Sequence, residues 1–176
     1  MNATTFLKRL LAPLALIFSI AAGAPAQAET VTLNCSVGTE IVHYSPGITN
    51  TPKPTTITGT EQLTACVGVP LGISNAQISV SGSGNIGCES SDADITLDIL
   101  WGDQTTSTAE VVNAITQRPA GQIILVSEAE IVSGRFVGAT LIRTVTLLQT
   151  DLAGCSTPEG VTSAAGPITM TVTSLL

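Results

Sequence analysis

The chain is short of aromatic, basic and imidazole side chains, and each shortage removes a class of function. Only 3% of its 176 residues are aromatic. Phe6 and Phe18 fall in the N-terminal apolar segment, which leaves Tyr44, Trp101 and Phe136. Sugar-binding surfaces and single-stranded nucleic-acid grooves are built from several exposed rings. Three rings that must also serve a core argue against both. Basic residues number 6 against 13 acidic ones, for a net charge of −7. A surface of that sign repels phosphate backbones and anionic headgroups, so neither nucleic acid nor membrane is an expected partner. His43 is the only histidine, and any Ser-His-Asp or Cys-His mechanism must use it. It stands beside Tyr44 just before a Pro-Gly turn, where a structural role is expected. There is no G-x-S-x-G elbow, and Lys53 has no S-x-x-K context. No cofactor motif is present, and the chain reads as non-enzymatic.

What the chain does have begins with an export signal over residues 1–28. Lys8 and Arg9 precede the apolar run Leu10–Ala22, followed by Pro25 and the small-residue site Ala26-Gln27-Ala28. That is a positive n-region, an h-region too short to span a bilayer, and a cleavage site. Residues 29–176 then form a single β domain, secreted or held at the cell envelope. Beyond residue 28 the chain keeps four basic residues, Lys53, Arg118, Arg135 and Arg143. It contains no apolar run of membrane-spanning length. Cys35, Cys66, Cys88 and Cys155 are the four cysteines. In an oxidising compartment an even count implies two disulfides. Cys35–Cys66 with Cys88–Cys155 is the favoured pairing, because each bridge then ties an early strand to the end of its own half. Loops of that length stabilise by about 3.5–4.5 kcal/mol each in the chain-entropy account. No C-x-x-C pair supports a zinc site.

The hydropathy pattern has period two. Val31, Leu33, Cys35 and Val37 alternate with polar residues, as do Ile95, Leu97, Ile99 and Trp101, and again Ile168, Met170 and Val172. Such alternation marks strands with one face on a core and one in water. Further strands are expected at Thr39–Tyr44, Pro54–Gly59, Gln77–Val80, Gln122–Val132 and Ala139–Thr150. Turn signals separate them at Ser45-Pro46-Gly47, Gly68–Gly72, Gly82-Ser83-Gly84-Asn85, Gly102-Asp103, Pro119-Ala120-Gly121 and Gly134–Gly138. Glu110–Gln117 fits neither period, and a short helix or an irregular edge strand would both suit it. Pro46, Pro52 and Pro54 place residues 46–60 along a sheet edge. Together these features predict an immunoglobulin-like antiparallel β-sandwich of about eight strands with two disulfides.

Glu89, Asp92, Asp94, Asp98 and Asp103 form the densest charged region. Asp94 and Asp98 on one strand would stand about 13 Å apart, beyond the roughly 5–10 Å that glycosidase carboxylates need. Asp92 and Asp94 are the better pair for a weak Ca²⁺ site, though no EF-hand spacing is present. Trp101 is expected to pack in the core near a disulfide. Phe136, set among Gly134, Arg135 and Gly138, is expected on an exposed hairpin and is the aromatic chosen for partner contact.

In order, Cys35, His43-Tyr44-Ser45-Pro46-Gly47-Ile48-Thr49, Cys66, Cys88, Trp101-Gly102, Gly134-Arg135-Phe136-Val137-Gly138 and Cys155-Ser156 resemble uncharacterised small secreted disulfide-containing β proteins of actinobacteria. The resemblance implies an exported β domain and no activity. The sequence therefore points to a non-catalytic binding or structural protein of the cell exterior, acting on an extracellular or envelope protein. An inhibitor of a secreted protease, using the loop Gly68–Ile73, is the alternative, and a weak Ca²⁺-binding domain is the third reading. Oligomeric state is not encoded in any motif.

Overall fold

The computed structural model describes residues 29–117, 122–148 and 152–174; the segment expected as an export signal, residues 1–28, and the turn expected at Pro119-Ala120-Gly121 lie outside the described residues. Eight antiparallel strands follow in chain order: β1 (Thr32–Ile48), β2 (Lys53–Val69), β3 (Ala76–Ile86), β4 (Ser91–Trp101), β5 (Thr106–Gln117), β6 (Gln122–Gly134), β7 (Thr140–Leu148) and β8 (Val161–Thr173). A 3-10 turn, Leu152–Ser156, precedes β8.

Each strand pairs with the next, and β8 returns to β1 with Thr32 opposite Thr173 and Cys35 opposite Met170. The sheet is a closed barrel, which overturns the immunoglobulin-like sandwich. Both architectures demand the same alternation of dry and wet faces. The periodicity therefore identified strands correctly and could not tell stacking of two sheets from closure of one. Closure also removes the edge expected for residues 46–60, since β2 is hydrogen-bonded to β1 on one side and β3 on the other.

Several expected breaks are absorbed into long strands. β1 runs through Ser45-Pro46-Gly47, and a bulge between Cys35 and Thr39 joins its two expected halves. The bulge changes which parity faces inward. Leu33 and Cys35 are buried before it, Glu40 and Val42 after it, and Val37 is turned out to solvent. A bulge beside Val112 does the same in β5, which settles the ambiguous 110–117 segment as strand. Gly82 and Gly84 lie within β3 instead of a turn. A Cβ at Gly84 would stand 2.0 Å from the Asp92 carbonyl oxygen, so only glycine permits β3 and β4 to approach so closely there. At Gly166 of β8 a Cβ would lie 1.7 Å from the Thr146 carbonyl oxygen.

The two ends differ. At one end the β2–β3, β4–β5 and β6–β7 turns close over Trp101, which is fully buried. Its ring meets Phe136 edge-on at 5.3 Å, and its indole N–H donates to Ser107 Oγ at 2.8 Å. Phe136 is only 2% exposed, which corrects its expected place on an open hairpin. The turn carries Phe136 at a positive φ of 61°, folding the ring back onto Trp101, and Arg135 covers it with its guanidinium 4.7 Å from the ring centre. Arg135 is held in turn by Glu29 and Asp103.

The disulfides pair as expected, Cys35–Cys66 and Cys88–Cys155, and are consistent with an oxidising compartment. The geometric reason differs from the expected one. Cys35 and Cys66 are direct cross-strand neighbours. Cys88–Cys155 instead joins the β3–β4 turn to the 3-10 turn at the other end of the barrel. The Cys88 N–H donates to the Thr49 carbonyl and the Asn50 N–H to the Cys155 carbonyl, so three turns at that end are tied together. Among the described residues no helix is long and apolar enough to cross a membrane.

The double variant Cys88→Ala/Cys155→Ala should lose about 4 kcal/mol of unfolding free energy in urea titrations, the loop-closure entropy of a long bridged segment. Hydrogen exchange should accelerate first at Thr49, Asn50 and Cys88, with the Trp101 end unaffected until global unfolding.

Candidate functional site

The barrel wall parts on one side. β4 and β5 are hydrogen-bonded only where Thr96–Leu100 faces Thr106–Glu110. Toward the disulfide-tied end, Ser91–Ile95 stays on β3 and the rest of β5 stays on β6, but the two no longer pair with each other. An eight-stranded barrel is just wide enough to be filled by side chains or to hold one small ligand. Beneath this parted seam it is not filled. A cavity of about 230 Å³ remains, walled by Ile48, Ile57, Ile86, Ile95, Val111, Ala114, Ile123, Leu125 and Leu147. Ala93 and Ala114 flank the seam and Tyr44, Glu89, Ser90, Ser91 and Thr116 complete the rim, with Ser127 and Arg143 at the inner end.

Arg143 is 2% exposed and Ser127 1%, and both belong to the buried interior. Arg143 Nε donates to Ser127 Oγ at 2.8 Å, and Nη1 donates to Glu61 Oε1. Glu61, fully buried, is the cross-strand partner of Glu40, itself only 4% exposed. Two carboxyl groups thus share one guanidinium in a dry interior. Such a set is costly unless charge and hydrogen bonds balance. Oε2 of Glu40 and Oε2 of Glu61 find no hydrogen-bond partner among the described residues. Burial pushes the Glu40 carboxyl above the ordinary glutamate value of 4.5, and Arg143 only partly opposes the rise. Burial likewise lowers Arg143, with Glu40 acting against it. A proton on Glu40 leaves Arg143 and Glu61 as one neutral ion pair.

The residues singled out from sequence fall elsewhere. His43 is exposed on the outer wall opposite Thr58. Asp92, Asp94 and Asp98 point outward from β4, Asp98 accepting from Thr108 Oγ1 at 3.1 Å. Asp103 accepts from Thr105 in the β4–β5 turn, and Glu89 alone of the five reaches the cavity rim. Among the described residues no three His, Cys, Asp or Glu side chains converge as metal ligands. Asp92 and Asp94, the proposed Ca²⁺ pair, face Asn85 and Ser83 across the strand. In the β2–β3 turn, Leu71 is 91% exposed while Ile73 is buried.

Glu61, Ser127 and Arg143 were missed, although a signal existed. Glu61 shares the inward register of Ile57 and Leu63, and Arg143 that of Leu141 and Val145. An ionisable side chain on the apolar parity of a strand is the mark of a buried polar site. Glu40 carried no such mark, because the bulge before it changes the parity. No family model matches the chain, and no curated protein or solved structure is similar to it.

A glutamate whose carboxyl is raised in the folded state adds stability below its unfolded value, and that contribution is lost as pH rises through the folded value. Glu40→Gln should therefore be more heat-stable than the parent near pH 7 and should lose that advantage toward pH 4. Paired melting curves across pH check this, and a difference independent of pH contradicts a protonated Glu40. Arg143→Met, which strands both carboxyls, should cost about 3–5 kcal/mol in the same assay.

Proposed function

We propose that this is an exported, non-catalytic binding protein that carries a small, mainly apolar molecule in the tied end of its barrel. The observation that carries the reading is the cavity beneath the parted β4–β5 seam. It is concave, apolar-walled, reachable from one side, and furnished with a few polar groups at its inner end, the usual make-up of a ligand pocket. Gly87, Glu89 and Ser90 of the rim belong to the β3–β4 turn, which Cys88–Cys155 fixes to the 3-10 turn, so little ordering is required on binding. Export is supported by the N-terminal signal pattern and by two disulfides. A water-facing barrel is supported by Thr56, Thr58, Thr60 and Gln62 on β2 and Gln77, Ser79, Ser81 and Ser83 on β3, all outward and exposed. Binding without turnover is supported by the inner polar groups, which neutralise one another, and by His43 lying on the outer wall.

Naphthalene, a rigid uncharged probe of suitable size, should bind the oxidised protein in fluorescence titrations. Ala114→Phe should abolish that binding by filling the cavity, with the melting temperature kept within about 5 °C of the parent. Absence of binding by the parent protein removes the proposal.

A second reading, inhibition of a secreted protease, is favoured by one observation. Leu71 stands 91% exposed at the tip of a turn whose base is bridged at Cys66 and anchored by buried Ile73. A rigid loop presenting one apolar side chain suits an active-site cleft. Stoichiometric inhibition of a protease from a panel, lost in Leu71→Asp, is the expected outcome; no inhibition across the panel discards this reading.

A further inference from the structure

Resting on the reading of the cavity as a ligand site, we infer that its ligand is an uncharged, mainly apolar molecule presenting a carbonyl-type hydrogen-bond acceptor to Ser127 and Arg143. The size of the ligand follows from volume. An apolar cavity of about 150 Å³ accommodates benzene, so 230 Å³ suits a molecule of about nine or ten non-hydrogen atoms. The walls are aliphatic, and the body of the ligand must match them.

The inner end decides the head group. Ser127 Oγ accepts from Arg143 Nε, which leaves the hydroxyl proton of Ser127 to donate. Arg143 commits one proton on Nε to Ser127 and one on Nη1 to Glu61, and a guanidinium carries three further N–H donors. Both groups line the cavity, and both offer donors. A ligand with only donors would meet no complementary atom there.

Charge narrows the choice further. The guanidinium is already balanced by Glu61, with Glu40 beside it on the neighbouring strand. A carboxylate ligand would add an unbalanced negative charge to a dry interior, and a cation would face a guanidinium across unshielded space. A neutral acceptor adds no charge and gains a charge-assisted hydrogen bond. Ketones, lactones and esters of the stated size satisfy all three requirements. The seam lets an apolar tail on such a molecule continue outward between Ala93 and Ala114.

Three probes of matched size and shape separate the terms: acetophenone supplies the acceptor, cumene replaces the carbonyl with hydrocarbon, and benzoate replaces it with a carboxylate. Calorimetric titration of the oxidised protein should show acetophenone binding about tenfold to a hundredfold more tightly than cumene, the effect of one hydrogen bond to a charged donor. Benzoate should bind more weakly than acetophenone. Amide shifts in the nuclear magnetic resonance spectrum should centre on Ala114, Leu125 and Ser127. Ser127→Ala should shrink the preference for acetophenone over cumene, and the three-probe comparison on the parent protein decides alone if that variant fails to fold. Equal binding of cumene, or tighter binding of benzoate, overturns the assignment of the head group while leaving the cavity a ligand site. Binding by none of the three, together with no binding of naphthalene, overturns both.

Discussion

The ladder between β1 and β8 is the constraint on which the rest of the molecule depends. Thr32 meets Thr173, Cys35 meets Met170, and Glu40 meets Gly166, so the first and last strands of the barrel supply each other's hydrogen bonds. Without that seam the sheet would have two open edges and no enclosed interior. With it, the inward rows of all eight strands converge on one axis, and residues far apart in the chain become neighbours. Arg143 reaches Glu61 across 82 positions of sequence. Gly166, opposite Glu40 in this ladder, also lets β8 lie close against β7, where any Cβ would meet the Thr146 carbonyl oxygen.

Closure also distributes the barrel's interior unequally. Large side chains fill the end that holds Trp101, Phe136 and Leu141. The opposite end is lined by Ile, Val, Leu and Ala, and its wall is opened where β4 and β5 separate. The first end contributes packing, with the Trp101 indole hydrogen-bonded and its face covered. The second contributes a space. Cys88–Cys155 and the hydrogen bonds at Thr49 and Asn50 tie three turns together at that end of the barrel.

Between the two ends lies the Glu40–Glu61–Arg143–Ser127 set. Buried ionic groups of this kind contribute less to stability than apolar packing of the same volume. On the proposed reading of the cavity as a ligand site, their role is to present fixed donors at its inner end. The guanidinium is anchored at two of its nitrogens, by Ser127 and by Glu61, which fixes its orientation at the cavity.

Much of this was legible in the residues themselves. Alternation at Ile95–Trp101 and Ile168–Val172 specified strands, because a half-buried pleat exposes every second side chain. An even count of four cysteines behind an N-terminal segment patterned like an export signal pointed to two bridges, and their pairing was read correctly. Arg143 on an apolar register also announced a polar interior, to a reader who looked for it. Other features depended on the assembled barrel. The burial of Phe136 depends on a turn with positive φ that no periodicity reports. Glu40 faces inward only because a bulge changes the count, and a bulge leaves no pattern in hydropathy. Whether the strands stack or close is decided by pairing between residues more than a hundred positions apart. Local sequence fixes which face of each strand is dry; only the complete set of inter-strand hydrogen bonds fixes what those dry faces enclose.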